Sequence, residues 1–307
     1  MAAEDSLVED ALARAAHAPH WLRDACGLEP ETIGTLLPVY LPLAREIAAR
    51  RTRKGATFTV GIQGPQAAGK TTLTHLLQRV LSDVAGLRVA TLSIDDLYLT
   101  RAQRAELAAR VHPLFITRGV PGTHDVALGV HVLASLARAG RTAVPRFDKG
   151  RDDRAPQSAW PVGEGPCDVV LFEGLWIGLP PLDDASLAAP VNALEAAEDP
   201  RAVWRTYANH ALRDAYPALF APCELLVHFQ VPDFACVKRW RSGAEDQLRA
   251  RLTAAGEDTS RLMDAAALER FFEHYERFSE HAMRVMPERA DVILRVDSEH
   301  HVFESTL

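Results

Sequence analysis

The chain has 307 residues, 48% of them hydrophobic, and a formal net charge of −7. That length suits one large α/β unit or two small ones, with ample apolar material for a core. The acidic balance argues against nucleic acid as the main partner, and no apolar run reaches the ~18 residues that cross a bilayer.

The N-terminus, Met1 to Ser6, is acidic and lacks the basic start and apolar stretch of a signal peptide, so a cytoplasmic protein is expected. Residues 5–54 read as helices. Leu7, Ala11, Leu12 and Ala15 form one apolar stripe, and Leu36, Leu37, Leu41, Leu43, Ala44 and Ile47 form another. Pro19, Gly27 and Pro30 punctuate between them. Arg50-Arg51-Thr52-Arg53-Lys54 reads as a solvated helix end. The expectation is a helical N-terminal extension, residues 1–54, packed on a core of residues 55–307. Cys26, Cys167, Cys223 and Cys236 show no C-x-x-C spacing, which predicts buried free thiols rather than disulfides or zinc ligands.

From residue 57, strands and helices alternate. Runs rich in Val, Leu, Ile or Phe predict strands at 57–62, 88–94, 168–172, 224–231 and 291–296. Apolar positions at helical spacing predict helices at about 70–83, 124–139, 201–215, 233–254 and 265–285. Alternation of this kind implies an α/β three-layer sandwich around a mainly parallel sheet of about five strands. Segments 97–123 and 142–166 are rich in Gly, Pro, Arg and Asp, and read as long loops carrying function.

The first of these strands runs into Gly64-Pro65-Gln66-Ala67-Ala68-Gly69-Lys70-Thr71, which fits G-x-x-x-x-G-K-[ST]. Strand, glycine loop and helix are the context that this phosphate-binding motif needs. The glycines let backbone N–H groups turn towards phosphate oxygens, and the helix N-terminus adds partial positive charge. Lys70 is expected to reach the β- and γ-phosphates of ATP. Thr71 is expected to ligate Mg²⁺, and Thr72 extends the phosphate-binding stretch.

Ser93-Ile94-Asp95-Asp96-Leu97-Tyr98 closes the second strand. A carboxylate at the C-terminal end of a parallel strand sits where α/β sheets bind ligands. Asp95 is expected as general base, with a possible metal role, and Asp96 as a substrate group or as a cap of the next segment. Val169-Val170-Leu171-Phe172-Glu173 is an apolar strand ending in an acid, the Walker B pattern, which puts Glu173 beside Mg²⁺. Arg118-Gly119-Val120-Pro121-Gly122-Thr123-His124-Asp125 reads as a turn before a helix, with Thr123 or Asp125 available to cap it. Pro145 to Arg154 is dense in both charges. It reads as a solvated loop or as a substrate loop whose cations meet a small anion.

Taken together, G-P-Q-A-A-G-K-T-T, S-I-D-D-L-Y-L-T, R-G-V-P-G-T-H-D, P-R-F-D-K-G-x-D-D-R and L-F-E-G-L-W resemble the D-glycerate 3-kinase family. That family lies within the phosphoribulokinase, uridine kinase and pantothenate kinase group. The resemblance runs in order from about Gly61 to Gly178 and more loosely through Val231-Pro232-Asp233 and Arg239-Trp240-Arg241. It implies a P-loop kinase using ATP and Mg²⁺ on a small hydroxy acid, with Lys70, Asp95 and Glu173 as its catalytic set. Asp96, Tyr98, Arg118, His124, Asp148, Lys149, Arg151 and Arg154 stand as substrate candidates. The alternatives are a nucleoside or pantothenate acceptor, for which Tyr98, Phe147 or Trp176 would stack on a base, and a nucleotide-hydrolysing switch or chaperone.

Overall fold

The computed structural model describes residues 2–18, 20–259 and 262–307, with the side chains of residues 2–5, 25 and 26 left aside. Pro19 and the Cys26 thiol therefore lie outside the described residues. The chain opens with helices α1 (Ala2–His17), α2 (His20–Cys26) and α3 (Pro30–Lys54). Strand β1 (Phe58–Gln63) leads through the glycine loop to α4 (Lys70–Asp83), then to β2 (Val89–Ser93), α5 (Arg101–Arg110) and α6 (Val126–Leu136). Two short antiparallel ladders follow: β3 (Gly140–Ala143) with β6 (Val162–Gly165), and β4 (Phe147–Asp148) with β5 (Asp153–Arg154). After β7 (Val169–Gly174) come α7 (Ala193–Glu198), α8 (Val203–Asp214), α9 (Tyr216–Phe220), β8 (Leu225–Gln230), α10 (Phe234–Ala255), α11 (Ala265–Val285), β9 (Val292–Val296) and β10 (Val302–Ser305).

The main sheet has six strands in the order β10-β9-β8-β1-β7-β2. All its pairings are parallel except β10 with β9. Every residue of β1 and β7 is buried, as a sheet covered on both faces requires. Alternation then divides the core. Phe58, Val60, Ile62, Val169, Leu171, Leu225, Val227 and Phe229 join α3 and α4 on one face. Val170, Phe172, Leu92 and Ile94 join α6, α8 and α11 on the other. The expected three-layer sandwich is present, with one strand more than the five expected. The extra strand, β10, is a four-residue edge piece with only half-buried and exposed side chains, so it lacks the apolar run that marks the others.

Register decides where the chemistry goes. Ile62 pairs with Glu173, Ser93 with Glu173, and Gln63 with His228. One edge of the sheet therefore carries the glycine loop, the turn after β2 and the acid ending β7. Ile94, expected in β2, instead begins a tight 3₁₀ turn over Ile94–Leu97 whose start is capped by the Ser93 hydroxyl. The expected loop 97–123 contains α5, which starts with a reciprocal Thr100/Gln103 capping box. The expected loop 142–166 is ordered by the two ladders.

The N-terminal helices are stitched to the opposite end of the sheet. Leu41, Leu43, Ala44 and Ile47 are fully buried against strand residues. Arg51 and Arg88 both bind Asp168, Lys54 binds Glu224, and the Trp21 indole donates to Asp83 at 2.6 Å. Helix α3 runs on through Pro38 and Pro42, each of which removes a helix hydrogen bond. Burial of its apolar stripe offsets that loss. Cys167, Cys223 and Cys236 are free, as expected, with Cys167 and Cys236 buried and Cys223 half-buried. Among the described residues no helix is long and apolar enough to cross a membrane.

By its burial, α3 counts as core. Leu41→Ala should cost about 2–5 kcal/mol, the usual price of a fully buried leucine, read as a lower midpoint of chemical denaturation. A shift under about 0.5 kcal/mol, the range of a surface change, would show α3 to be an appendage.

Candidate active site

The glycine loop is built for close approach. Ala67 (φ 59°) and Gly69 (φ 97°) both adopt left-handed backbone, which turns successive N–H groups to one side. A side chain on Gly64 would meet Phe229 Cβ at 2.8 Å, so only glycine fits there. Ala68 is buried, Gln66 and Thr72 are half-buried, and Pro65 supplies a carbonyl that accepts from Lys70 Nζ at 2.7 Å. Lys70 opens α4 as a buried ammonium. Burial lowers its pKa, opposed by the nearby Glu173 and Asp95 carboxylates. Loop, helix and lysine thus form a cradle of N–H donors and positive charge that suits an anion.

Thr71 donates to Glu173 at 3.5 Å across the loop. Burial raises the Glu173 pKa, Lys70 opposes that rise, and Asp95 adds to it. Two oxygen donors beside a phosphate cradle suit Mg²⁺, which keeps several water and phosphate ligands. Among the described residues no cluster of three His, Cys, Asp or Glu side chains forms a dedicated metal cage.

Asp95 sits in the turn after β2, its backbone N–H donating to Ser93 at 3.3 Å. Both of its oxygens are engaged. Tyr98 donates to Oδ1 at 2.6 Å, and Lys149 donates to Oδ2 at 2.7 Å. Burial pushes the Asp95 pKa up, but the Lys149 ammonium and the Tyr98 hydroxyl outweigh it and hold the carboxyl below its ordinary value. Tyr98 is itself buried, its ring 4.9 Å from that of His124 and 5.1 Å from that of Phe147. Tyr216 accepts from Gly122 N–H and shares a 2.5 Å hydrogen bond with His124 Nδ1, leaving His124 Nε2 buried with no partner among the described residues.

The other substrate candidates lie around this centre, and most have internal partners. Asp96 accepts from Phe147 N–H at 3.0 Å and from Arg146 at 3.2 Å, so it anchors the β4–β5 loop. Asp148 accepts from the Gly150 and Arg151 N–H groups and shapes the loop's turn. Arg118 pairs with Asp152, while Arg154 binds Asp125 at 3.1 Å and the Tyr98 carbonyl at 2.9 Å. Arg151 is exposed, 3.5 Å from Asp148. Asp125 caps α6, as one of the two expected alternatives; Thr123 instead bridges Gly119 and Val120.

Sequence reasoning missed four residues here. Arg104 is fully buried and binds the carbonyls of Leu99 and Ile116 and the Asp152 side chain. Its signal was an arginine on the inner face of a helix. Arg146 was read only as part of a charged run. Gln63 donates to the Leu175 carbonyl at 2.7 Å and shares a 2.5 Å hydrogen bond with His228, tying β1, β7 and β8 together directly behind Gly64. Their signal was a polar residue at the end of one apolar strand and another inside a second.

No family model matches the chain. It is 35% identical over 202 residues to the chloroplastic D-glycerate 3-kinase of Arabidopsis thaliana, a match covering 62% of this chain and 42% of that protein. The chain therefore spans less than half of that relative. It is 32% identical over 214 residues to the uncharacterized kinase mug58 of Schizosaccharomyces pombe, covering 65% of this chain and 74% of that protein. The solved structure of D-glycerate 3-kinase from Cryptococcus neoformans superposes with a TM-score of 0.69 at 26% identity, over 85% of this chain and 95% of that one. The YGR205w protein, at 21% identity and a TM-score of 0.67 over 87% and 95%, shares the fold.

Two buried imidazoles near this edge give the protein a predictable acid response. Burial pushes His124 and His228 each down to about 4. In the unfolded chain each titrates near 6.5, so below that pH the unfolded state binds more protons. Stability is unaffected above pH ~6.5 and is lost as pH falls from ~6.5 to ~4. The thermal midpoint should drop over this window, and drop less steeply in His228→Gln. Equal slopes in the two proteins would place the proton uptake elsewhere.

Proposed function

The chain belongs to the D-glycerate 3-kinase family of P-loop kinases, and on that premise we propose that it transfers the γ-phosphate of ATP to the 3-hydroxyl of D-glycerate. One observation carries the reading. At one edge of the sheet, Thr71 of the glycine loop meets Glu173 at 3.5 Å, Glu173 pairs in register with Ser93, and Asp95, two residues further on, accepts from Lys149 at 2.7 Å. Phosphate cradle, metal-side acid and base are therefore one electrostatic unit.

The residues divide the work by their chemistry. The backbone N–H groups of Gly64 to Thr72 and the Lys70 ammonium hold phosphate oxygens. Thr71 and Glu173 would hold Mg²⁺, which when bound neutralises charge on the phosphates. Asp95 keeps its carboxylate ionised at neutral pH and takes the proton of the attacking hydroxyl. The new bond joins the acceptor oxygen to the γ-phosphorus, and the bond to the departing ADP oxygen breaks. Outside the loop, the Trp240 and His300 rings stack at 4.5 Å, and His300 reaches the Ala67 backbone.

Two features favour a small acid over a nucleoside. The aromatic rings that would stack on a base are already used. Trp176 is buried, donates to the Gly119 carbonyl at 2.6 Å, and packs on Tyr275 and Phe278. Phe147 and Tyr98 are also buried, with Arg104 and Arg118 over the Phe147 ring. A cation, in contrast, sits on Asp95: Lys149 donates to its carboxylate at 2.7 Å. Free thiols fit a reducing cytoplasm.

An ADP-release assay across D-glycerate, glycerol, uridine and pantothenate tests the acceptor directly. D-glycerate should be used and glycerol hardly at all; efficient use of uridine or glycerol with glycerate inert would leave only the kinase fold standing. Asp95→Asn should lower kcat by ~10²–10⁴-fold with a much smaller effect on ATP affinity. Loss instead on Asp96→Asn, with Asp95→Asn active, would reassign the base. Glu173→Gln should raise the Mg²⁺ concentration needed for half-maximal rate, since it removes charge beside the metal while keeping shape. An unchanged titration would reduce Glu173 to a strand-end residue.

A further inference from the structure

The general base is covered. An acceptor hydroxyl must give its proton to an Asp95 oxygen, and each oxygen already holds one donor, which occupies one approach and lowers its basicity. The two donors differ in how easily they yield. Tyr98 is buried between the His124 and Phe147 rings and its backbone is tied to that of His124, so its hydrogen bond is built into the fold. Lys149 stands on the exposed β4–β5 turn, with 63% of its side chain open to solvent. Its four-carbon stem can swing while the turn itself stays in place, because Asp148 pins the backbone at Gly150 and Arg151. The oxygen to be freed is therefore Oδ2, and the group to move is Lys149.

Moving it costs a charge-assisted hydrogen bond, and something must replace that bond. The neighbouring cations have other partners. Arg104 and Arg118 bind Asp152, Arg154 binds Asp125, Arg146 binds Asp96, and Arg151 faces Asp148. Lys149 differs from these in that its carboxylate partner is the reacting group. An acceptor that brings its own carboxylate beside its hydroxyl offers the ammonium an equivalent partner. A neutral polyol, or water, offers none.

We propose that Lys149 is an acceptor-operated latch on Asp95: it caps the base until the carboxylate of an acidic acceptor draws the ammonium away and uncovers Oδ2 for the hydroxyl. This rests on the reading of Asp95 as base. The latch moves no covalent bond. It makes selection for acids a matter of turnover as well as binding, and it keeps the base covered against water while ATP is held.

The test uses the full chain carrying Lys149→Met, with Lys149→Arg as the charge-keeping control. Three rates are read: ATP hydrolysis without acceptor, turnover of glycerol, and turnover of D-glycerate. With the latch removed, acceptor-free hydrolysis should rise several-fold and glycerol turnover should hold or rise, while kcat/KM for D-glycerate falls by about tenfold or more. Lys149→Arg, which keeps the charge, should raise hydrolysis less than Lys149→Met does. If all three rates fall together in Lys149→Met, the ammonium serves the transferred phosphoryl group and the latch is wrong; if none changes, it is equally wrong. Because hydrolysis uses no acceptor, it judges the latch even where D-glycerate proves inert, an outcome that would overturn the acceptor assignment alone.

Discussion

Lys70 is an ammonium placed where water barely reaches, and the arrangement around the site follows from keeping it charged. Burial alone drives such a group towards the neutral form; Glu173 and Asp95 oppose that drive. Those two acids come from different strands, and only a parallel sheet brings both to the same edge as the loop that carries Lys70. The β1–β7 and β2–β7 registers do this by pairing Glu173 with Ile62 and with Ser93. Glu173 is in turn raised by burial and restrained by Lys70. The three groups are thus neighbours by virtue of the fold itself.

Around this centre, charge is used to build walls. Asp152 adopts left-handed backbone (φ 55°) and receives both Arg104 and Arg118. Arg104 also takes up carbonyls on either side of α5, which closes the 97–123 segment over the β4–β5 loop. Arg146 and the Phe147 N–H converge on Asp96 from the same loop. The loop that holds Lys149 against Asp95 is therefore fastened at both ends, by Asp96 and by Asp152. A segment dense in both charges is ordered here by pairing, not by an apolar core of its own.

A second charged network sits deeper. Arg205 and Arg277 are buried with Glu195 and Asp199, and their remaining N–H groups go to the carbonyls of Ser186, Leu187, Ala188 and Ala189. Arg277 meets Glu195 in a two-point contact at 2.8 and 2.5 Å. Buried pairs of this kind add little net stability but tolerate few alternative arrangements. Here they define the path of residues 182–199, a stretch with no regular structure long enough to define it otherwise.

Much of the fold and part of the site were legible in the chain. Buried parallel strands must be apolar on both faces, so the five long strands announced themselves. The glycine loop was readable because its geometry demands specific residue types at fixed spacing, and Asp95 and Glu173 because acids ending apolar strands have few structural reasons to be there. The edge strand β10, lacking a buried face, left no such mark, and α5 showed only in its capping box. What sequence alone could not decide was pairing. Arg118, Arg146, Lys149, Arg151 and Arg154 look alike as letters, and which one faces Asp95 depends on a turn set by Asp148 and anchors set by Asp96 and Asp152. Gln63 and His228 meet across 165 residues only because β1 and β8 are neighbours. Local sequence determined the elements and the phosphate cradle, because backbone geometry and burial act over a few residues. Tertiary structure alone assigned each charge its partner, because electrostatic pairing is decided by distance in space and not along the chain.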